Sequence, residues 1–174
     1  FLRYQRYFEL GKFITKFLED QNKKSLKILD FGCGTGTGIN AFIDLGFNTK
    51  GIEPDLSRAK YGIKKGIPID VSTWQNYVIE KSSDYLFTSI QSLEHFYNAE
   101  SFIEKVSSSM SLNSLLYIEV PDANNHIKDW NDSLYLGHMH NFCENSLFHL
   151  LKRLGFKSII RCKPYSNQLM NSEN

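Results

Sequence analysis

Residues 26–55 read LKILDFGCGTGTGINAFIDLGFNTKGIEPD. Lys27 to Phe31 is a short apolar run, the pattern of a buried strand. It breaks at Gly32-Cys33-Gly34-Thr35-Gly36. Glycines let the backbone turn with φ > 0 and let a ligand approach the main chain closely. Ile39, Phe42 and Ile43 then recur at helical spacing, and Gly46 supplies a stop. Gly51-Ile52-Glu53 ends a second strand on a carboxylate, about twenty residues past the glycines. In a nucleotide-binding β-α-β unit, an acid there accepts hydrogen bonds from ribose hydroxyls.

Two ligands fit such a unit: a dinucleotide, or an adenosine carrying an amino acid. The dinucleotide fingerprint is G-x-G-x-x-G. Counted from Gly32 its last glycine falls on Thr37, and counted from Gly34 on Ile39, so a dehydrogenase is the weakest reading. The pattern is instead Asp-x-Gly-x-Gly-x-Gly, beginning at Asp30. A carboxylate at the end of the first strand repels a pyrophosphate and suits a cationic ligand.

LDFGCGTG followed by GIEPD resembles the first two motifs of class I S-adenosylmethionine-dependent methyltransferases. The resemblance implies an α/β fold: a Rossmann-like, doubly wound, mostly parallel sheet. It makes S-adenosylmethionine, with its ammonium and sulfonium, the cofactor. It places Asp30, Gly32, Cys33, Gly34, Gly36, Glu53 and Pro54 at that cofactor. Gly32, Gly34 and Gly36 shape the loop, Asp30 supports it and the methionine end, and Glu53 holds the ribose.

The composition bounds the alternatives. A chain of 174 residues, 41% hydrophobic and 14% aromatic, suits one domain with one sizeable core. Net charge is +1 and no long basic run is present, which argues against a nucleic-acid surface. Cys33, Cys143 and Cys162 are far apart and show neither zinc spacing nor a disulfide framework, which fits a reducing cytoplasm. No apolar stretch has the length of a membrane span, and the start does not read as a signal peptide. The chain begins with Phe, as a piece of a longer protein would.

Before the glycine motif, residues 1–25 read as a helix and connector, with Tyr4, Phe8, Ile14 and Leu18 on a buried face. Arg3, Tyr4, Arg6 and Tyr7 lie within reach of a carboxylate or substrate, or simply flank a packing face. Residues 26–163 read as the main domain. Asp55 caps a helix carrying Leu56, Ala59 and Ile63. Ile67 to Val71 is a third strand. In the resembling family an acid near its end faces the adenine amino group, a role open to Asp70. Trp74 and Tyr77 cover the adenine or pack. Asp84 to Ile90 is a fourth strand, and Gln91 to Phe96 follows it, at the carboxyl end where open α/β sheets bind ligands. SIQSLEHF resembles the LEH segment of small-molecule methyltransferases. That likeness puts Gln91 near the methionine part of the cofactor and His95 near the acceptor.

Asn98 caps the next helix, with Phe102, Ile103, Val106 and Met110 on one face. Asn113 stands where the family usually has glycine, and Asn tolerates the left-handed conformation. Leu115 to Val120 is a fifth strand. Residues 121–141 read as a lid or substrate loop, with Trp130, Tyr135, His126, His138 and His140. Gly137 to Phe142 resembles the H-x-x-x-F-S approach to the family's last helix. Cys143 replaces the expected Ser or Thr cap, which puts that capping bond in question. Leu147, Leu151 and Leu154 form the stripe of a helix over Glu144 to Leu154. Phe156 to Cys162 reads as a sixth strand. Residues 164–174 are too polar for a seventh, which is expected to be missing or poorly formed.

Methyl transfer is an in-line displacement at a sulfonium methyl, so the enzyme positions the acceptor and takes its proton where needed. His95 is the first candidate base, because imidazole titrates near neutrality; His138 and His140 follow. Small-RNA 2′-O-methyltransferases and ubiquinone-pathway O-methyltransferases carry Glu-x-x-Glu-His here and hold a divalent ion with it. This chain has Gln91-x-x-Glu94-His95, with an amide for one carboxylate. No metal is therefore expected, although Glu94, His95 and His140 remain a candidate set. The reading is methyl transfer to a small-molecule acceptor. The alternatives are a non-catalytic cofactor- or partner-binding domain and metal-assisted RNA 2′-O-methylation.

Overall fold

The computed structural model describes residues 2–20, 26–81, 83–126 and 137–162. Helix α1 (Leu2–Asp20) is followed by β1 (Lys27–Phe31), α2 (Thr37–Asp44), β2 (Thr49–Glu53), α3 (Leu56–Lys64) and β3 (Ile69–Val71). Then come β4 (Tyr85–Ile90), a 3₁₀ turn (Leu93–His95), α4 (Ala99–Ser109), β5 (Leu115–Glu119), the short α5 (Ala123–His126) and α6 (Glu144–Arg153). The strands form one parallel sheet in the order β3-β2-β1-β4-β5. The winding reverses between β1 and β4. Such a switch point opens a crevice beyond the strand ends, where ligands of doubly wound sheets bind.

The strand pleat sorts side chains onto two faces. Ile28 of β1 and Leu86 and Ile90 of β4 join a core with Tyr7, Leu10, Ile14 and Leu18 of α1 and with α2. Leu29, Phe31 and Phe87 join the opposite core, with Phe102, Ile103 and Val106 of α4. The buried stripe of α1 therefore centres on Tyr7 and Leu10, while the expected Tyr4 and Phe8 are its partly buried flanks. Spacing decides this: positions 7, 10, 14 and 18 track one helical face.

The expected helix caps form. Asp55 Oδ1 accepts the Ser57 amide at 2.8 Å, and Asn98 Oδ1 accepts the Ser101 amide at 2.9 Å. At Cys143 the neighbouring Ser146 Oγ accepts the Cys143 amide at 2.9 Å. Four expectations are corrected. Phe156 to Cys162 joins no ladder, and the described residues form five strands. Phe156 packs against the α4-side core, but Ile160 is 62% exposed and the backbone between them pairs with no strand. Asn113 is not left-handed; its amide reaches Asp84 Oδ2 at 3.3 Å, and Gln91 is the non-glycine with positive φ among the described residues. Leu56 and Ile63 are exposed on α3, whose contact is made by the smaller Ala59 and Gly62. Leu147, Leu151 and Leu154 of α6 are only half-buried against the α4-side core. Residues 127–136, including Trp130 and Tyr135, and the tail 164–174 lie outside the described residues.

Candidate active site

The glycine turn sits at the switch point. Gly32, Gly34 and Gly36 have φ of 83°, 60° and 75°. A side chain at Gly32 would meet the Cβ of Ser92 at 2.5 Å. That proximity brings the ends of β1 and β4 together, and Ser92 Oγ donates to the Phe31 carbonyl at 2.7 Å. Ser92 was not legible as a site residue, since a lone serine in a loop carries no spacing signal.

Three carboxylates surround the crevice. Glu53 is buried: its Oε2 accepts the Gly34 amide at 2.8 Å, and its Oε1 accepts the Asp55 amide at 3.0 Å. Asp30 shares the face of Ile28 and is wholly buried beneath α1. It accepts from Thr88 Oγ1 at 2.6 Å and Tyr7 Oη at 3.2 Å. Burial pushes its pKa up to about 6, against the pull of those hydrogen bonds and of Arg3. Glu119 closes β5, where it accepts from Gln91 Nε2 at 3.2 Å and Tyr117 Oη at 3.1 Å and pairs with Arg6 at 3.0 Å. Gln91 holds φ 53°, with its amide nitrogen bonded to the Glu119 carbonyl at 2.7 Å. A bulky residue kept there by its surroundings marks a constrained junction.

A cavity of about 180 Å³ lies beside the turn, lined by Gly32, Pro54, Thr73, Trp74, His95 and Phe96 among others. Trp74 lines the cavity and packs edge-on against Phe102. Tyr77 packs edge-on against Phe31. Asp70 stands apart, 3.0 Å from Lys50 in an exposed ion pair, while Ser72 to Gln75 reach the cavity instead. The Cys33 side chain is buried against Gly51, so only its main chain faces the loop. Burial there pushes its thiol pKa well up.

After β4, the 3₁₀ turn and residues 137–140 are bound together. The Met139 and His140 amides donate to the Glu94 carbonyl at 2.8 and 3.1 Å. His95 Nδ1 donates to the Gly137 carbonyl at 2.7 Å, so Nδ1 carries a proton and Nε2 is the nitrogen turned away from that bond. His95 Nε2 lies 3.9 Å from Glu94 Oε1, and the rings of His95 and His138 are 4.8 Å apart. Glu94 is 2% exposed; burial raises its pKa. Glu94, His95 and His138 present one ligand atom each within 4.8 Å of one another. His140, placed in that set from the sequence, instead turns its ring toward Phe142.

A parallel sheet ordered 3-2-1-4-5, a glycine turn at its switch point and an acid ending β2 define a Rossmann-like domain of the methyltransferase class. Residues 1–160 match the family described as "Methyltransferase domain", and the chain belongs to that family. The structure resembles the plantazolicin methyltransferase BpumL in complex with S-adenosylhomocysteine, with a TM-score of 0.74 at 16% identity. That match covers 88% of this chain and 64% of BpumL, so the chain spans about two thirds of that protein. A Thermotoga maritima protein described as a possible histamine N-methyltransferase gives 0.68 at 17% identity, covering 89% and 71% of the two chains. An Archaeoglobus fulgidus methyltransferase gives 0.63 at 17% identity, covering 93% and 83%. A search of curated proteins by sequence finds no match. No helix among the described residues is long and apolar enough to cross a membrane.

Proposed function

We propose that this chain is the S-adenosylmethionine-binding domain of a methyltransferase acting on a small-molecule acceptor. The observation that carries the reading is Glu53 folded onto the Gly34 amide, beside a cavity walled by Pro54 and Trp74. Glu53 has lone pairs to spare for ribose hydroxyls while it holds the loop. Gly32, the Cys33 main chain, Gly34 and Gly36 leave the loop bare for close approach. Asp30 and Gln91 flank the methionine end. Arg3 supplies the matching cation: a Cβ on Gly34 would stand 3.0 Å from its Nη1. A guanidinium over that loop suits an amino-acid carboxylate. Asp70, held by Lys50, acts on the adenine side only by leaving that pair, so Thr73 and Trp74 are the nearer contacts.

When bound, the cofactor supplies a methyl group on a sulfonium, already an excellent leaving group. The chain's task is to align the acceptor and take up its proton. His95 lines the cavity with Nδ1 engaged by the Gly137 carbonyl, and the His138 ring lies 4.8 Å from it. His140, turned toward Phe142, frames the segment. Incubation with methyl-labelled S-adenosylmethionine and a cell extract, separated by size, tests the acceptor class. Label in a low-molecular-weight product is expected. Label confined to RNA or protein would overturn the small-molecule assignment.

A further inference from the structure

Glu94 poses a problem that the methyl-transfer reading leaves unsolved. The side chain is 2% exposed, and its Oε2 has no hydrogen-bond partner among the described residues. An unpaired buried carboxylate oxygen is costly unless a proton or a cation meets it. The other oxygen of Glu94, Oε1, lies 3.9 Å from His95 Nε2, and His140 Nε2 is the other buried side-chain atom without a partner among the described residues. The ligand atoms neighbouring Glu94 belong to His95 and His138, all three within 4.8 Å of one another.

We infer that Glu94, His95 and His138 form a site for a divalent transition ion of the zinc, cobalt or manganese kind. Three features of the frame support this. The Gly137 carbonyl takes the Nδ1 proton of His95, the outer contact that metal-bound histidines use to fix ring and tautomer. The Met139 and His140 amides hold their loop segment to the Glu94 carbonyl, which ties the two halves of the site together. Donors around one such ion stand about 3–3.5 Å apart, so the widest pair, within 4.8 Å, need draw in by about 1.3–1.8 Å at most. Gln91, at the position where some relatives place a further carboxylate, takes no part: its Nε2 is committed to Glu119.

The donor set fixes the class of ion. One carboxylate and two imidazoles suit borderline metals and leave coordination positions open for an oxygen of the acceptor. Magnesium prefers an all-oxygen octahedron and is excluded by the same reasoning. A metal on His95 Nε2 occupies the lone pair assigned to the base, so ion and proton are alternative occupants of one position. The inference does not depend on the cofactor reading, and its test contains no cofactor.

The test is titration of the chelator-treated whole chain with Co²⁺ alone, followed by visible absorption and calorimetry. One ion per chain is expected, displaced by Zn²⁺ and not by Mg²⁺. H138A and E94Q should each weaken binding by more than the roughly 10–100-fold lost with an outer-sphere partner. H149A, which alters an exposed histidine outside the cluster, should bind as the parent does. H138A changes a partly exposed loop residue, so it decides the matter even if E94Q fails to fold. No Co²⁺ binding by the parent, unchanged binding by H138A, or displacement by Mg²⁺ would overturn the inference.

Discussion

The Gly34 amide donates to Glu53 Oε2 at 2.8 Å, so the carboxylate ending β2 also closes the turn after β1. The second oxygen of Glu53 accepts the Asp55 amide at 3.0 Å, at the start of α3. One side chain thus fixes both loops that border the crevice. Its removal leaves a buried amide without an acceptor, which costs about 1–3 kcal/mol.

Glu53→Ala should therefore lower both stability and cofactor affinity. S-adenosylhomocysteine binding is expected to fall roughly tenfold or more, the worth of a charge-assisted bond. Calorimetry on Glu53→Ala and Glu53→Gln checks this, with the glutamine variant intermediate because it keeps one acceptor. Affinity unchanged in the alanine variant would refute the ribose assignment.

Asp30 makes stability depend on pH. Its folded pKa, about 6, lies above the 3.8 of a free aspartate. Below about 4 both states hold the proton and the residue costs nothing. As pH rises from 3.8 to about 6 the unfolded chain loses its proton first, so stability falls, by about 3 kcal/mol over the window. Asp30→Asn lacks this slope. Urea unfolding of both proteins at pH 4 and pH 7 should show the asparagine variant gaining on the parent by that amount. A difference independent of pH would contradict the buried, raised carboxylate.

Gly38 lies under the Tyr7 ring, where an added Cβ would stand 2.6–2.7 Å from three ring atoms. Gly38→Ala must push Tyr7 off α2 and lengthen its bond to Asp30. Overpacking of this kind costs about 1–3 kcal/mol. Thermal unfolding should show the loss, and Tyr7→Leu in the same chain should recover part of it, since contacting sites are not additive. Parent-like stability of Gly38→Ala would mean that α1 is free to shift.

His95→Ala separates chemistry from binding. Turnover should fall by about 10²–10⁴, the usual worth of a general base, with S-adenosylhomocysteine affinity held within about threefold. Full turnover would remove His95 as the proton acceptor.

The sheet and the turn at its switch point were largely legible because their signals are local. LDFGCGTG and GIEPD carry turn, strand and carboxylate within thirty residues, and Asp55 and Asn98 announce their helices through their own side chains. Contacts made across the fold were not legible. The partners of Asp30 are Tyr7 and Thr88, 23 and 58 residues away. Whether Tyr4 or Tyr7 faced inward depended on how α1 lies against α2. Likewise His138 and His140 are two residues apart in one loop, and only the hydrogen bonds to Glu94 and Gly137 decide which meets His95. Asn113 shows the reverse error: residue type permitted a left-handed turn, but a side-chain bond to Asp84 made it unnecessary.

The most direct measurement is calorimetric titration of the chain with S-adenosylhomocysteine, with NAD(H) as control. Micromolar binding of one S-adenosylhomocysteine per chain, and none of NAD(H), is expected. Binding of NAD(H) instead, or of neither, would contradict the assignment of the Gly32–Glu53 crevice to S-adenosylmethionine.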